Sequence, residues 1–177
     1  MDYIENALKS TGGNLARVKL LARFLTALIV CRSVCLTQVA NAFEGGAKTA
    51  SNYKRLQRFL RGFDADMIIL SRIMLGWLQT KTGLKPPYVL SLDRTNWKLG
   101  CVETNVLMLA IVYKKIAFPV VWMLLGKAGN SSTEEREKLL TRYEEAFGKE
   151  SIASVTADRE FAGKRFAAWL SERGMSA

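Results

Sequence analysis

The sequence predicts an α+β chain in two parts, a helical and strongly basic region over residues 1–86 and a mixed α/β domain over residues 87–177. Three observations carry this division. Apolar residues recur at helical spacing through the first part, then change to near-continuous β-rich runs from Tyr88 onward. Gly83 and the Pro86-Pro87 pair, which end helices, stand at the change of period. The charge is divided unequally: residues 1–86 hold 13 Lys and Arg against 5 Asp and Glu, a net of +8, whereas residues 87–177 hold 13 against 11, a net of +2.

In the first part, residues 1–13 are a weakly patterned lead-in ending in Gly12-Gly13. Asn14 is a good N-cap for a helix whose apolar stripe is Leu15, Val18, Leu21, Leu25 and Leu28. A short helix over Leu36 to Phe43, a break at Gly45-Gly46 and a helix over Lys48 to Leu60 follow, which is the grammar of a helix-turn-helix. The last of these carries Lys48, Lys54, Arg55, Arg58 and Arg61 with no acid among them, and Thr49, Ser51 and Asn52 at its start. A recognition helix presents such side chains to base edges and phosphates, so Lys48, Thr49, Asn52, Lys54, Arg55, Arg58 and Arg61 form the candidate DNA-contacting set. Asp64 or Asp66 caps a further helix to Gln79, with Met67, Leu70, Met74, Trp77 and Leu78 as its stripe.

The second part opens with the strand of YVLSLDRTNW, read as ending on the carboxylate Asp93. Val102 to Tyr113 and Ile116 to Leu125 are two apolar runs joined by Lys114-Lys115, which completes a three-strand meander. Pro119 places the third strand at a sheet edge or at a bulge. Ser131-x-x-Glu134 and Ser132-x-x-Glu135 are capping-box spacings opening a helix to Phe147. The strand Ile152 to Ala157 then delivers a second carboxylate, Asp158, and a helix begins at Lys164. GKAGNSS at Gly126 resembles a phosphate loop only superficially, because no glycine stands five residues earlier and Ala128 occupies the Ser/Thr position.

Composition excludes several kinds of chemistry. The chain has no histidine, which removes His-dependent nucleophile systems and Cys/His zinc sites. Carboxylates are left to carry any reaction, and hard oxygen ligands select Mg2+ or Mn2+. Three cysteines without a signal-peptide pattern fit a cytoplasmic protein with no disulfide framework. Val106 to Leu125 has the length of a membrane span, but Lys114 and Lys115 at its middle argue against one, each costing about 2.5–3.5 kcal/mol in a bilayer. A net charge of +10 concentrated in the helical part favours a polyanionic partner, nucleic acid before membrane.

Three meandering strands, a helix, a fourth strand and a helix, with aspartates on strands one and four, is the opening order of a ribonuclease H-like domain, here incomplete. In that topology the fourth strand lies beside the first, about 4.8 Å away, so Asp93 and Asp158 can face one metal site. Two divalent ions about 3.5–4 Å apart serve in-line displacement at a phosphodiester.

SLDRTNW around Asp93, the run NVLMLAIVYKKIAFPVVWMLLGKAGNSSTEER and TADREF around Asp158 resemble the catalytic domain of prokaryotic insertion-sequence transposases of the DDE type, over about residues 88–170. The basic helical part resembles their terminal-repeat-binding region. The resemblance implies that Asp93 and Asp158 are the first two acids of the catalytic triad and ligate Mg2+ or Mn2+. It implies strand transfer, with water or a 3′ hydroxyl attacking double-stranded DNA at terminal inverted repeats and target, by a protein that is a homodimer at full length. The third acid, a glutamate on a downstream helix, has no counterpart before Ala177, and Glu103, Glu134 and Glu137 are not candidates for it. The expectation is therefore a C-terminally truncated member of an enzyme family, inactive alone, or a DNA-binding protein that interferes with the full-length enzyme.

Overall fold

The computed structural model describes residues 14–63, 67–99, 101–161 and 163–175. The expected lead-in at residues 1–13 and the capping roles of Asp64 and Asp66 lie outside the described residues. The fold is mixed α+β and divides into two compact units, Met1–Ile69 and Leu70–Ala177.

The first unit is helical. Helix α1 spans Leu15–Cys31, and Asn14 caps it by accepting the Ala16 amide at 2.9 Å, one of the N–H groups that a helix leaves without an internal partner. Its buried positions are Val18, Leu20, Leu21, Ala22 and Ala27, so burial keeps Val18 and Leu21 of the expected stripe and spreads beyond it, while Leu15 is half exposed. Helices α2 (Leu36–Asn41) and α3 (Thr49–Arg61) follow. The link between them runs over residues 42–48, longer than the three or four residues of a tight helix-turn-helix corner, and buries Phe43. Side chains close it: Thr49 Oγ1 donates to Asn41 Oδ1 at 3.2 Å, Asn52 Nδ2 to the Ala40 carbonyl at 3.3 Å, and Arg23 Nη2 to the Glu44 carbonyl at 2.8 Å.

Helix α4 (Met67–Thr82) buries Ser71, Leu75 and Leu78, whereas Met74 and Trp77 of the expected stripe are exposed. Its opening Met-Ile-Ile-Leu run is apolar on every side, so the sequence does not mark a single face.

The second unit is built on one four-stranded sheet in the order β3-β2-β1-β4, where β1 is Tyr88–Leu99, β2 Val102–Tyr113, β3 Ile116–Leu125 and β4 Ile152–Ala157. The first three strands form the expected antiparallel meander, and β4 returns parallel to β1 after helix α5 (Thr133–Phe147). The β2–β3 turn is the pair Lys114 and Lys115, both at positive φ (48° and 67°), the backbone sign of a type I′ hairpin. Pro119 meets both expectations at once. The strand β3 is an edge, and the register slips between Leu109 and Ala110, which pair with Val121 and Pro119 and leave Val120 as the extra residue.

One face of the sheet is the core. Leu90, Leu92, Leu107, Leu109 and Ile111 are at most 1% exposed, and α5 packs over β2 and β3 with Leu139, Leu140 and Tyr143 fully buried. Of the two capping-box spacings, Ser132 with Glu135 forms the box, with reciprocal bonds of 3.3 and 2.6 Å. Burial pushes the Glu135 carboxyl up, but the Ser132 amide and Lys127 Nζ at 2.9 Å outweigh it and hold the group below its usual range. Ser131 is instead buried. Helix α6 (Lys164–Glu172) contributes Phe166 and Leu170. No helix among the described residues is long and apolar enough to cross a membrane.

Candidate functional site

Strand β1 does not end at Asp93, contrary to the sequence reading. Strand β2 is equally long, and their antiparallel register runs on to Leu99↔Val102, so Asp93 lies within the strand, opposite Met108. What ends there is the other ladder. The parallel pairing of β1 with β4 closes at Leu92↔Ala157, and Asp93 and Asp158 occupy the next position on each chain. Neighbouring strands stand about 4.8 Å apart, so the two backbones are adjacent although the residues are sixty-five apart in sequence.

Alternation decides where the side chains point. Leu90 and Leu92 face the core with Val155, their β4 neighbour, so Asp93 turns to the opposite face and is exposed. Asp158, three residues past Val155, is exposed as well. The two carboxylates are held alike: Asp93 Oδ1 accepts the Arg94 amide at 2.7 Å, and Asp158 Oδ1 accepts the Arg159 amide at 2.6 Å. In each case the second oxygen has no partner among the described residues. An open carboxylate oxygen is a hard donor of the kind that Mg2+ and Mn2+ take. Among the described residues, no third acid, cysteine or histidine joins them to make a metal-holding group of three or more.

Sequence reading missed the group that lies beneath the pair. Arg94, one residue on from Asp93, points to the core side with only 9% of its side chain exposed. Its Nε and Nη2 fork onto Glu160 Oε1 and Oε2 at 3.3 and 3.1 Å; Nη1 donates to the Gly129 carbonyl at 2.9 Å and Nη2 also to Asn130 Oδ1 at 3.1 Å. Arg136, on α5, is buried and donates to Ser131 Oγ (2.9 Å), Ser131 O (2.6 Å), Phe161 O (3.1 Å) and Glu160 O (3.5 Å). It lies 5.1 Å from the centre of the Phe161 ring, and burial lowers its pKa. Asn105 Nδ2 adds bonds to the Lys127 and Gly129 carbonyls at 3.2 and 2.8 Å. The loop after β3 and the short 3-10 turn Arg159–Phe161 are thus both fastened to the sheet. The alternation that turned Asp93 outward also turns Arg94 inward, and an inward arginine needs acceptors; that was the available signal.

In the first unit, α3 buries Asn52, Leu56 and Phe59. At 100° per residue, Lys54, Arg58 and Arg61 project from the opposite face and Arg55 flanks them; all four, with Lys48, are exposed. None of these cations meets a carboxylate among the described residues. Thr49 is half-buried and Asn52 is turned inward to the Ala40 carbonyl, so neither stands on the exposed cationic face. Cys31, Cys35 and Cys101 are free thiols.

No family model matches the chain, and no curated protein does. Among solved structures it is similar to the HTLV-2 integrase catalytic core domain in complex with magnesium. The dimeric form of that domain matches at 14% identity and a TM-score of 0.41, covering 53% of this chain and 61% of that one. The trimeric form matches at 13% identity and a TM-score of 0.42, covering 52% and 59%. The chain therefore spans about three-fifths of the length of the integrase core structures it matches.

Proposed function

We propose that this chain is a DNA transposase polypeptide of the DDE type, carrying the first two metal-binding acids of a phosphodiester-cleaving site. One observation carries this reading: Asp93 and Asp158, singled out by the DRTNW and ADREF motifs, are both exposed, and each directly follows the last residue pair of the β1–β4 ladder. Asp93 and Asp158 would hold Mg2+ or Mn2+ through their unpaired oxygens. When bound, the ion would stabilise negative charge on the phosphodiester and activate the attacking oxygen. The protein's own part is to fix two carboxylates on rigid strands and to leave them open to a nucleic-acid backbone.

Residues 1–86 bind duplex DNA in this reading, with α3 as the recognition helix and Lys48, Lys54, Arg55, Arg58 and Arg61 on phosphates. Thr49 and Asn52 hold the link between α2 and α3. Terminal repeats of an insertion element are the intended DNA, a homodimer is the expected assembly, and the cytoplasm of a prokaryote is the expected compartment.

A second reading is favoured by the absence of a third carboxylate beside the pair among the described residues: the chain binds element ends without cutting them. Purified chain, labelled duplex DNA and Mn2+ separate the two. The first reading expects Mn2+-dependent nicking that Asp93→Ala or Asp158→Ala lowers at least about a hundredfold, since either change removes a metal ligand. Salt-sensitive binding with no nicking at any Mn2+ concentration establishes the second. Mn2+ affinity unchanged by both substitutions overturns the site itself.

A further inference from the structure

From the fork between Arg94 and Glu160 we infer that these two are positioning residues, an ion pair that sets the separation of Asp93 and Asp158. The inference deepens the metal-site reading and rests on it only for the consequence, not for the geometry. Past Leu92↔Ala157 no ladder bond joins β1 to β4, yet that is where both aspartates stand. Asp158 is followed by a 3-10 turn closed by the Phe161 amide on the Asp158 carbonyl at 2.9 Å, and Glu160 lies within that turn. Arg94 is the neighbour of Asp93, and Glu160 follows Asp158 by two residues. The bidentate pair at 3.1 and 3.3 Å therefore continues the strand pairing with side chains where the backbone bonds stop.

The environment favours a defined geometry over a loose surface contact. Arg94 is 9% exposed and Glu160 34%, and Arg94 engages three acceptor residues, so the guanidinium has one orientation that satisfies it. The turn is fixed from its other side by Arg136, which takes the carbonyls of Glu160 and Phe161. Arg94 thus reads the side chain of the turn while Arg136 reads its backbone. Asp93 and Asp158 stay free on the opposite face, because the pair that spaces them is not itself in the site.

The test measures the separation directly and needs no metal. In a chain with C31S, C35S and C101S, the substitutions D93C and D158C place thiols directly after Leu92↔Ala157, the last pair of a ladder whose strands stand about 4.8 Å apart, a spacing a disulfide can span. The rate of their cross-linking by a fixed concentration of diamide reports how often the two positions meet. Glu160→Gln is nearly isosteric and leaves the Arg94 bonds to Gly129 and Asn130 in place; it is expected to slow cross-linking about tenfold. Arg94→Lys, which keeps the charge and loses the fork, is expected to fall between the two and serves if E160Q does not fold by circular dichroism. Asn130→Ala removes a bond of the same guanidinium without touching the pair, and is expected to leave the rate within about twofold.

Equal rates in the parent and E160Q overturn the inference, and so does equal slowing by E160Q and N130A, which would make the pair one structural contact among several. On the chain with both aspartates intact, E160Q is expected to weaken Mn2+ binding about 10- to 100-fold. If cross-linking obeys the pair while D93A and D158A leave Mn2+ affinity unchanged, the positioning role stands and the metal-site reading is what fails.

Discussion

The arginines of α3 and the arginines beneath the sheet are the same side chain in two opposite settings. Arg58 and Arg61 stand in solvent on the face away from the α3 core, Arg55 to their side is exposed as well, and no carboxylate pairs with these three among the described residues. Arg94 and Arg136 are withdrawn from water and direct almost every N–H at an acceptor. A charge left hydrated and unpaired costs the fold little and remains available to a polyanion. A charge taken from water must be saturated by its own protein, and then it fixes geometry instead of seeking a partner. Net charge counted along a sequence cannot separate these two uses; the position of each arginine relative to a core can.

The comparison is broken most sharply at Arg136. Arg136→Ala strands the Ser131 and Phe161 carbonyls and is expected to cost about 3 kcal/mol in urea unfolding, whereas Arg55→Ala should stay within about 0.5 kcal/mol. Similar losses from both would mean that the exposed arginines are structural too. The next effect reverses the ranking. Replacing Arg55, Arg58 and Arg61 together by alanine is expected to lower duplex affinity about a hundredfold and to flatten the dependence of log K on log salt by about 2–3, with little change in stability. Arg136→Met should leave that slope unchanged in the folded protein.

A smaller effect extends the contrast to a neutral group. Burial pushes the Tyr143 hydroxyl up to about 12, in spite of its 3.2 Å bond with Ser151. The folded state therefore keeps a proton that the unfolded chain loses near pH 10. The stability associated with it is present below pH 10 and lost as pH rises toward 12. Tyr143→Phe is expected to lower stability slightly at neutral pH and to flatten this alkaline limb in pH-dependent urea titrations.

The sequence disclosed elements whose signals are local. Asn14 as a cap, Lys114-Lys115 as a hairpin turn and Ser132-x-x-Glu135 as a capping box all depend on residues within a few positions of one another. Pro119 could be placed at an edge because a missing N–H excludes it from a central ladder. Features that depend on distant neighbours were less legible. The end of β1 is not legible locally, because the length of β2, not the composition of YVLSLDRTNW, decides how far the ladder runs. Asn52 reads as a base-contacting side chain until the Ala40 carbonyl is found beside it. Arg94 and Glu160 are sixty-six positions apart, and nothing in either motif alone announces their pairing.

The parallel register of β4 on β1 has a consequence for the order of assembly. The β1–β2–β3 meander closes through adjacent segments, the tightest link being two residues long, whereas β4 must return to β1 across the segment between Leu125 and Ile152 even after the meander has formed. Loop-closure entropy for that segment is about 3 kcal/mol, and contacts of long sequence separation slow folding. The meander can therefore form in a chain that still holds Asp158 far from Asp93. The acid pair is a product of the final pairing: Asp93 and Asp158 come to neighbouring chain segments only once β4 is in place beside β1.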